Sequence, residues 1–239
     1  MSGPLPESFH DAEVVESFGD LGILAFTTGR CTGSFGTATD EPVRDVMARW
    51  TALRELLGGS EGRLATATQV HGDRIIEHGG AWRGWLRGPD ADGHVSAARG
   101  TAMAVTVADC VPVFVAHPSG AAAALHSGWR GTAARITTRA IERFIALGMG
   151  ADEIHVHCGP AICGRCYEVS PDVYGKLTGR GVPEPTTVDL RTLIADHARE
   201  RGVGTISISE LCTRCNNDRF YSHRAGDSGR QLGVIRAMD

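Results

Sequence analysis

The stretch Thr101-Ala-Met-Ala-Val-Thr-Val-Ala-Asp109-Cys110-Val111-Pro-Val-Phe-Val-Ala-His117-Pro-Ser-Gly120-Ala-Ala-Ala-Ala-Leu125-His126 holds three strand-like runs in succession. Residues 101–108 read as a buried strand of small and β-branched residues. Residues 111–116 and 121–125 read as two more, parted by the turn His117-Pro118-Ser119-Gly120. Strands that follow one another so closely cannot all be parallel, because a parallel pair needs a long crossover.

Working outward, residues 21–28, 64–70, 154–158, 205–209 and 231–236 are strand-like, and a Gly-rich turn covers 29–36. Residues 42–57 predict a helix, with Pro42 in its first turn and Val43, Val46, Met47, Trp50, Leu53 and Leu57 at helical spacing. Helices are also predicted over 132–147, 172–177 and 190–201. Residues 81–92, with Trp82 and Trp85, read as a loop or irregular hairpin, and the chain to about Asp11 as a frayed end. No polar linker or repeat interrupts this series. It predicts one α/β domain over residues 1–239, a mixed β-sheet with helices packed on its faces.

The chain has 239 residues, enough to bury a substantial core without cross-links. Hydrophobic residues make up 42% and charged residues 22%, the balance of a soluble globular protein. A formal net charge of -4 favours neither nucleic acid nor an anionic membrane as partner. No apolar run approaches a membrane span, and the first residues lack a signal peptide's basic start and apolar core. A cytoplasmic location is expected. Seven cysteines in a reducing compartment suggest metal or catalytic roles before disulfides.

Three residues stand where a strand-like run meets a turn: His71, Cys110 and His126. Two imidazoles and a thiolate suffice to hold zinc with one position open. Each alone reads as an ordinary buried residue, and their spacing matches no short zinc motif. Local context supports a site. Asp109 adjoins Cys110, and His126 leads into Ser127-Gly128-Trp129-Arg130-Gly131 at a helix entrance, where free N–H groups and Arg130 suit an anion. Arg30, Arg224 and Arg230 lie on Gly-containing loops and could clamp an anionic group, or could be plain surface charges. Cys163-Gly164-Arg165-Cys166 and Cys212-Thr213-Arg214-Cys215 form two C-x-x-C pairs. They could hold a structural metal as a four-thiolate site, pair as disulfides, or remain partly buried thiols.

Taken in order, Thr68-Gln69-Val70-His71-Gly72, Ala91-Asp92-Gly93, Thr106-Val107-Ala108-Asp109-Cys110-Val111-Pro112, His126-Ser127-Gly128-Trp129-Arg130-Gly131, Gly159-Pro160-Ala161-Ile162, Cys166-Tyr167-Glu168-Val169 and Phe220-Tyr221-Ser222-His223-Arg224 with Gly229-Arg230-Gln231 form a specific set. Together they resemble the family called "multicopper polyphenol oxidase" or laccase-domain proteins, whose members are also described as purine nucleoside phosphorylases and peptidoglycan editing factors. The resemblance runs from about Leu24 to the C-terminus. It implies a single α/β domain similar to the catalytic domain of the cytotoxic necrotizing factor toxins. It implies a zinc ion on His71, Cys110 and His126, and phosphorolysis of adenosine, inosine, guanosine and methylthioadenosine, with adenosine deamination as a second reaction. The expected partners are a nucleoside and phosphate, and the expected assembly is a monomer or small homo-oligomer. Copper suits these ligands less well, because nothing suggests a multicopper oxidase's several clustered sites. The family's Asn-bearing segment after its early Gly-Gly turn is shortened here, between residues 29 and 41.

Within this reading Asp109 orients a ligand or accepts a proton, Arg130, Arg224 and Arg230 hold phosphate, and Arg30 contacts substrate. A rival reading makes Cys110 a nucleophile and His126 its base, in a metal-free hydrolase acting on an amide of a cell-wall precursor. A third is a binding module without turnover.

Overall fold

A computed structural model describes residues 5–239. In chain order the elements are β1 (Glu13–Val14), β2 (Ile23–Thr27), α1 (Val43–Leu56), β3 (Arg63–Ala67), β4 (Ile75–Glu77), β5 (Gly84–Gly88), β6 (Gly93–Ser96), β7 (Thr101–Val107), β8 (Val111–Ala116) and β9 (Ala122–Ser127). There follow α2 (Trp129–Ala133), α3 (Ile136–Ala146), β10 (His155–Cys158), β11 (Glu168–Val169), α4 (Pro171–Thr178), β12 (Thr186–Thr187), α5 (Leu190–Glu200), β13 (Thr205–Ile208) and β14 (Gln231–Ala237).

The fold is mixed α/β as predicted, but its strands divide mainly between two large sheets rather than one, with β11 and β12 paired apart from both. The first has the order β1-β2-β14-β7-β3-β5 and the second β13-β10-β8-β9-β6-β4. Both are mixed. β14 lies antiparallel between β2 and β7, while β3 runs parallel to β7 and β5. β8 and β9 are antiparallel, and β10 and β13 parallel.

Period-two alternation explains the layering. Met103, Val105 and Val107 of β7 point into a core shared with Phe114, Ala116, Ala122 and Ala124 of the second sheet. Ala102 and Ala104 point the other way, towards Val46, Trp50 and Leu53 of α1. Val111, Val113 and Val115 of β8 meet Ile141 and Phe144 of α3 and Ile194 of α5. The molecule is therefore a helix–sheet–sheet–helix stack. Both faces of β7 and β8 are covered, so their sequences show continuous apolar runs rather than alternation. The second sheet donates mostly alanines to the shared core, which lets the sheets approach closely.

Several local expectations change. Residues 81–92 contain β5, an edge strand whose Gly ends and charged Arg87 hide its character. The helix expected at 132–147 begins at Trp129 and breaks at Arg135, which takes a left-handed φ of 59° between α2 and α3. Of the expected α1 stripe, Val43 and Met47 are exposed. The start of the expected frayed segment, residues 1–4, lies outside the described residues. Phe9, however, is buried edge-on against Phe26. Among the described residues no helix is long and apolar enough to cross a membrane.

Candidate metal centre

His71, Cys110 and His126 meet at one end of the sandwich, with their donor atoms within 4.8 Å of one another. His71 comes from the loop after β3 in the first sheet. Cys110 precedes β8 and His126 lies in β9, both in the second sheet, and the register sets Pro112 opposite His126. The two imidazole rings stand edge to face, with centroids 4.7 Å apart. Such a donor group is near the reach of one cation with bonds of about 2.0 Å to nitrogen and 2.3 Å to sulfur.

Backbone strain delivers two of the three. The chain steps from β7 to β8, from one sheet to the other, across Ala108-Asp109-Cys110, and Asp109 sits at φ 80°. His71 sits at φ 59°. Non-glycine residues held there cost of order 1–3 kcal/mol each, so surrounding contacts must enforce them. For Asp109 these are a hydrogen bond from Thr213 Oγ1 at 2.6 Å and one from the Arg224 N–H at 2.7 Å. For His71 the enforcing group is Asp92. Its carboxylate accepts the backbone N–H of Val70, His71 and Gly72 at 3.2, 2.9 and 2.7 Å.

The same carboxylate accepts His126 Nδ1–H at 2.7 Å, and the Asp92 carbonyl accepts the His126 backbone N–H at 2.7 Å. That fixes the imidazole tautomer and leaves Nε2 as the nitrogen available to a metal. Burial opposes the charge on Asp92, but the bonds from His126, Gly72 and Val70 hold its carboxyl below the usual range. Burial alone would push the Cys110 thiol up, yet the charge and hydrogen bond of His126, with those of His71, bring it down to about 6. Burial would likewise lower His126, but the Cys110 thiolate and Asp92 raise it to about 9. Cys110 is thus drawn toward thiolate and His126 toward imidazolium, each by the other.

Glycine makes the convergence possible. A Cβ on Gly128 would stand 2.9 Å from Cys110 Sγ and 3.4 Å from His71 Cδ2. Gln69 braces the preceding loop by acting as a surrogate backbone. Its amide accepts from Thr106 N and donates to Thr106 O, both at 2.8 Å, where the β3–β7 ladder has ended.

The trio lies in the wall of a cavity of about 930 Å³. Arg87, Arg130, Arg224 and Arg230 also line it, as do Trp85 and Tyr167. Trp85 stacks on Trp50 with centroids 4.9 Å apart. Arg224 lies over the Tyr167 ring at 5.2 Å and donates to Glu168 O. Arg230 Nη1 bonds the carbonyls of Asp227, Ser228 and Gly229. Phe35, Gly36, Thr37 and Ala38 reach the cavity too, so the loop between β2 and α1 contributes wall.

Two sequence expectations are corrected. Arg30 does not line the cavity. Its guanidinium is taken by Asp227 at 2.7 Å and by Phe220 O, and it stacks over Tyr221. Asp109 engages no ligand side chain; both its oxygens are occupied by Thr213 and Arg224. The carboxylate that touches the trio is Asp92, to which the sequence reading gave no role. Arg87 and Trp85 were missed because their strand was. The four cysteines of the C-x-x-C pairs form a separate group, with sulfurs within 4.8 Å of one another.

Comparison with known proteins agrees with this architecture. YlmD from Geobacillus stearothermophilus superposes with a TM-score of 0.84 at 27% identity, covering 91% of this chain and 93% of that one. A Bacillus licheniformis hypothetical protein, YfiH, superposes at 0.83 and 23% identity over 95% and 96%. A purine nucleoside phosphorylase of Deinococcus radiodurans is 34% identical over 209 residues, covering 82% of this chain and 79% of its own. An adenosine deaminase, RL5, from an unknown prokaryotic organism is 32% identical over 222 residues, with 82% and 84% coverage. The model of the family described as "Multi-copper polyphenol oxidoreductase laccase" matches residues 31–238, a span that takes in every donor of the trio and the β14 strand that completes the first sheet. The chain belongs to that family.

Proposed function

We propose that the protein is a zinc-dependent purine nucleoside phosphorylase that also deaminates adenosine. The observation that carries this reading is the meeting of two imidazoles and a low-pKa thiol in the wall of a cavity lined by four arginines and a stacked tryptophan pair. The relatives named purine nucleoside phosphorylase and adenosine deaminase support it.

His71, Cys110 and His126 would hold the metal, and the donor set fits zinc. Cys110 is drawn toward thiolate, Asp92 frees His126 Nε2, and both imidazoles come from fixed backbone. When bound, zinc would supply Lewis acidity and bring the pKa of a coordinated water toward neutrality. The described residues offer one trio and one four-cysteine group as metal sites of three or more such donors. That is a poor match to clustered copper chemistry.

The chain's own groups then divide the work. Arg130, Arg224 and Arg230 hold phosphate against the ribose C1′, and Arg87 adds positive charge to the same cavity. Trp85 offers a face for the purine, backed by Trp50. Asp109 acts as a positioning residue. By accepting the Arg224 N–H it sets where that guanidinium starts, and by turning the chain it aims Cys110.

The test is zinc-loaded protein incubated with adenosine, with and without phosphate. Adenine and ribose 1-phosphate are expected with phosphate, and inosine in either case. Neither product from folded, zinc-loaded protein would refute the reading. A second reading has its own support: Cys110, His126 and Asp92 are arranged as a nucleophile, its base and an orienting carboxylate, which suits a metal-free amide hydrolase. Metal-free protein as purified, with Cys110 alkylated rapidly near pH 7, would favour it over the zinc enzyme.

A further inference from the structure

Four of the seven cysteines converge on a place the proposed chemistry does not use. Cys163 and Cys166 lie on the loop between β10 and β11, and Cys212 and Cys215 on the loop that follows β13. All four are free thiols. Their sulfurs lie within 4.8 Å of one another, and Cys166 Sγ is 3.5 Å from Cys215 Sγ. A tetrahedron of thiolates around a cation, with metal–sulfur bonds of about 2.3 Å, has edges of about 3.8 Å.

The backbone is shaped for the same end. Each C-x-x-C segment is a tight turn: Cys166 N–H donates to Cys163 O at 2.9 Å, and Asn216 N–H to Cys212 O at 2.9 Å. Cys212 Sγ accepts the backbone N–H of Cys163 at 3.2 Å and of Cys215 at 3.4 Å. Bonds of this kind stabilise a thiolate. The two turns are joined by a bridge between Ala161 and Cys212, with Thr213 N–H donating to Ala161 O. No acidic or imidazole group completes the set, so the donors are four soft sulfurs. That selects a thiophilic divalent cation over magnesium or calcium.

We propose that Cys163, Cys166, Cys212 and Cys215 form a structural four-thiolate site for a zinc-class cation, which fastens one wall of the large cavity. Tyr167 follows Cys166 directly and carries Arg224 over its ring. Thr213 follows Cys212 directly and bonds Asp109 at 2.6 Å. The cation therefore ties together the two loops that shape the Tyr167–Arg224 side of the cavity. Binding releases the thiol protons to solvent and leaves a dianionic, coordinatively closed centre with no position for substrate.

The test uses the full chain with the other metal group disabled. His71→Ala/His126→Ala protein is purified without added metal, and its zinc is counted by elemental mass spectrometry. One zinc per chain is expected. Exchange with cobalt(II) is expected to give the intense visible bands of a tetrahedral thiolate complex. Adding Cys163→Ser and Cys212→Ser should abolish both signals. Should those variants fail to fold, thiol counting on the parent decides: four cysteines should resist alkylation until a chelator is added. Absence of zinc and of the cobalt spectrum would overturn the proposal, as would immediate alkylation of all four thiols or their loss as two disulfides. Because the parent lacks His71 and His126, failure here is separate from failure of the catalytic reading.

Discussion

Replacing Asp92 with asparagine tests the site more sharply than removing a ligand. The side chain is fully buried. One oxygen accepts from His71 N and His126 Nδ1, and the other from Val70 N and Gly72 N. An asparagine amide must put its NH2 on one side or the other, and on either side it faces two donors. Hydrogen bonds to a charged group are worth about 1.5–3 kcal/mol each, so two lost bonds predict destabilisation of about 3–6 kcal/mol. With NH2 toward the loop, the backbone that aims His71 is orphaned. With NH2 toward His126, Nδ1 must become an acceptor, the proton moves to Nε2, and the ligand position is blocked. Both orientations predict zinc binding weakened by about 10–100-fold.

The assays are urea unfolding of metal-free protein and zinc competition against a chromophoric chelator. Asp109→Asn is the control. Asparagine tolerates positive φ, its oxygen can still accept the Arg224 N–H, and its NH2 can donate to the Thr213 hydroxyl. Zinc affinity should stay within about twofold of wild type in that variant. An Asp92→Asn protein with unchanged unfolding midpoint and zinc affinity would refute the assignment of Asp92 as the site's organiser.

Gly128→Ala puts a methyl 2.9 Å from Cys110 Sγ; zinc affinity should fall while the far-ultraviolet circular dichroism is unchanged, and normal affinity would show that the donors have room to spare. Trp85→Ala should raise the KM for nucleoside about tenfold, from a stacking loss of about 1–3 kcal/mol, and leave the KM for phosphate unchanged; equal changes in both would count against a base platform. His94 and His78 are stacked and hydrogen-bonded at 3.0 Å, and burial lowers both, His94 to about 3. The folded state therefore binds fewer protons than the unfolded one below about pH 6.5, so stability is full above that value and falls as pH drops through it, by up to about 1.4 kcal/mol per pH unit per proton. Urea unfolding from pH 7 to pH 5 should show this slope in wild type and a shallower one in His94→Gln; identical slopes would remove the pair as its source.

Much of this was legible in the chain because burial leaves a direct imprint on sequence. The runs at 101–108 and 111–116 are apolar on both faces, and they became β7 and β8 at the centre of the two sheets. What they could not show is that the chain changes sheets between them. That step turns on the positive φ of Asp109, which carries no periodic signal. β5 was unreadable because an exposed edge strand with Gly at both ends lacks alternation. Cys110 and His126 were recognisable as strand-end residues. Asp92 was not, since its meaning comes from four donors supplied by a loop and a strand distant in sequence. Arg30 erred in the opposite direction: an arginine in a Gly-rich loop suggests an anion, but an acidic side chain nearly two hundred residues later had already claimed it.

The trio has an energetic consequence beyond chemistry, because its donors come from both sheets. His71 extends from β3 of the first sheet, and Cys110 and His126 from β8 and β9 of the second. A cation bound by all three adds a cross-sheet link at the end of the sandwich where the cavity opens. Binding to the folded state alone stabilises it by RT ln(1 + [M]/Kd), about 4.1 kcal/mol at a thousandfold excess over Kd. This link is remote from the alanines of the shared core, since Ala116 pairs with Ala122 at the opposite end of β8 and β9. In protein whose four-cysteine group is already loaded, further zinc should raise the melting temperature of the wild type and lose most of that effect in His71→Ala, even though Cys110 and His126 stay adjacent on the second sheet. Equal stabilisation in both proteins would mean the cation is held by one sheet alone.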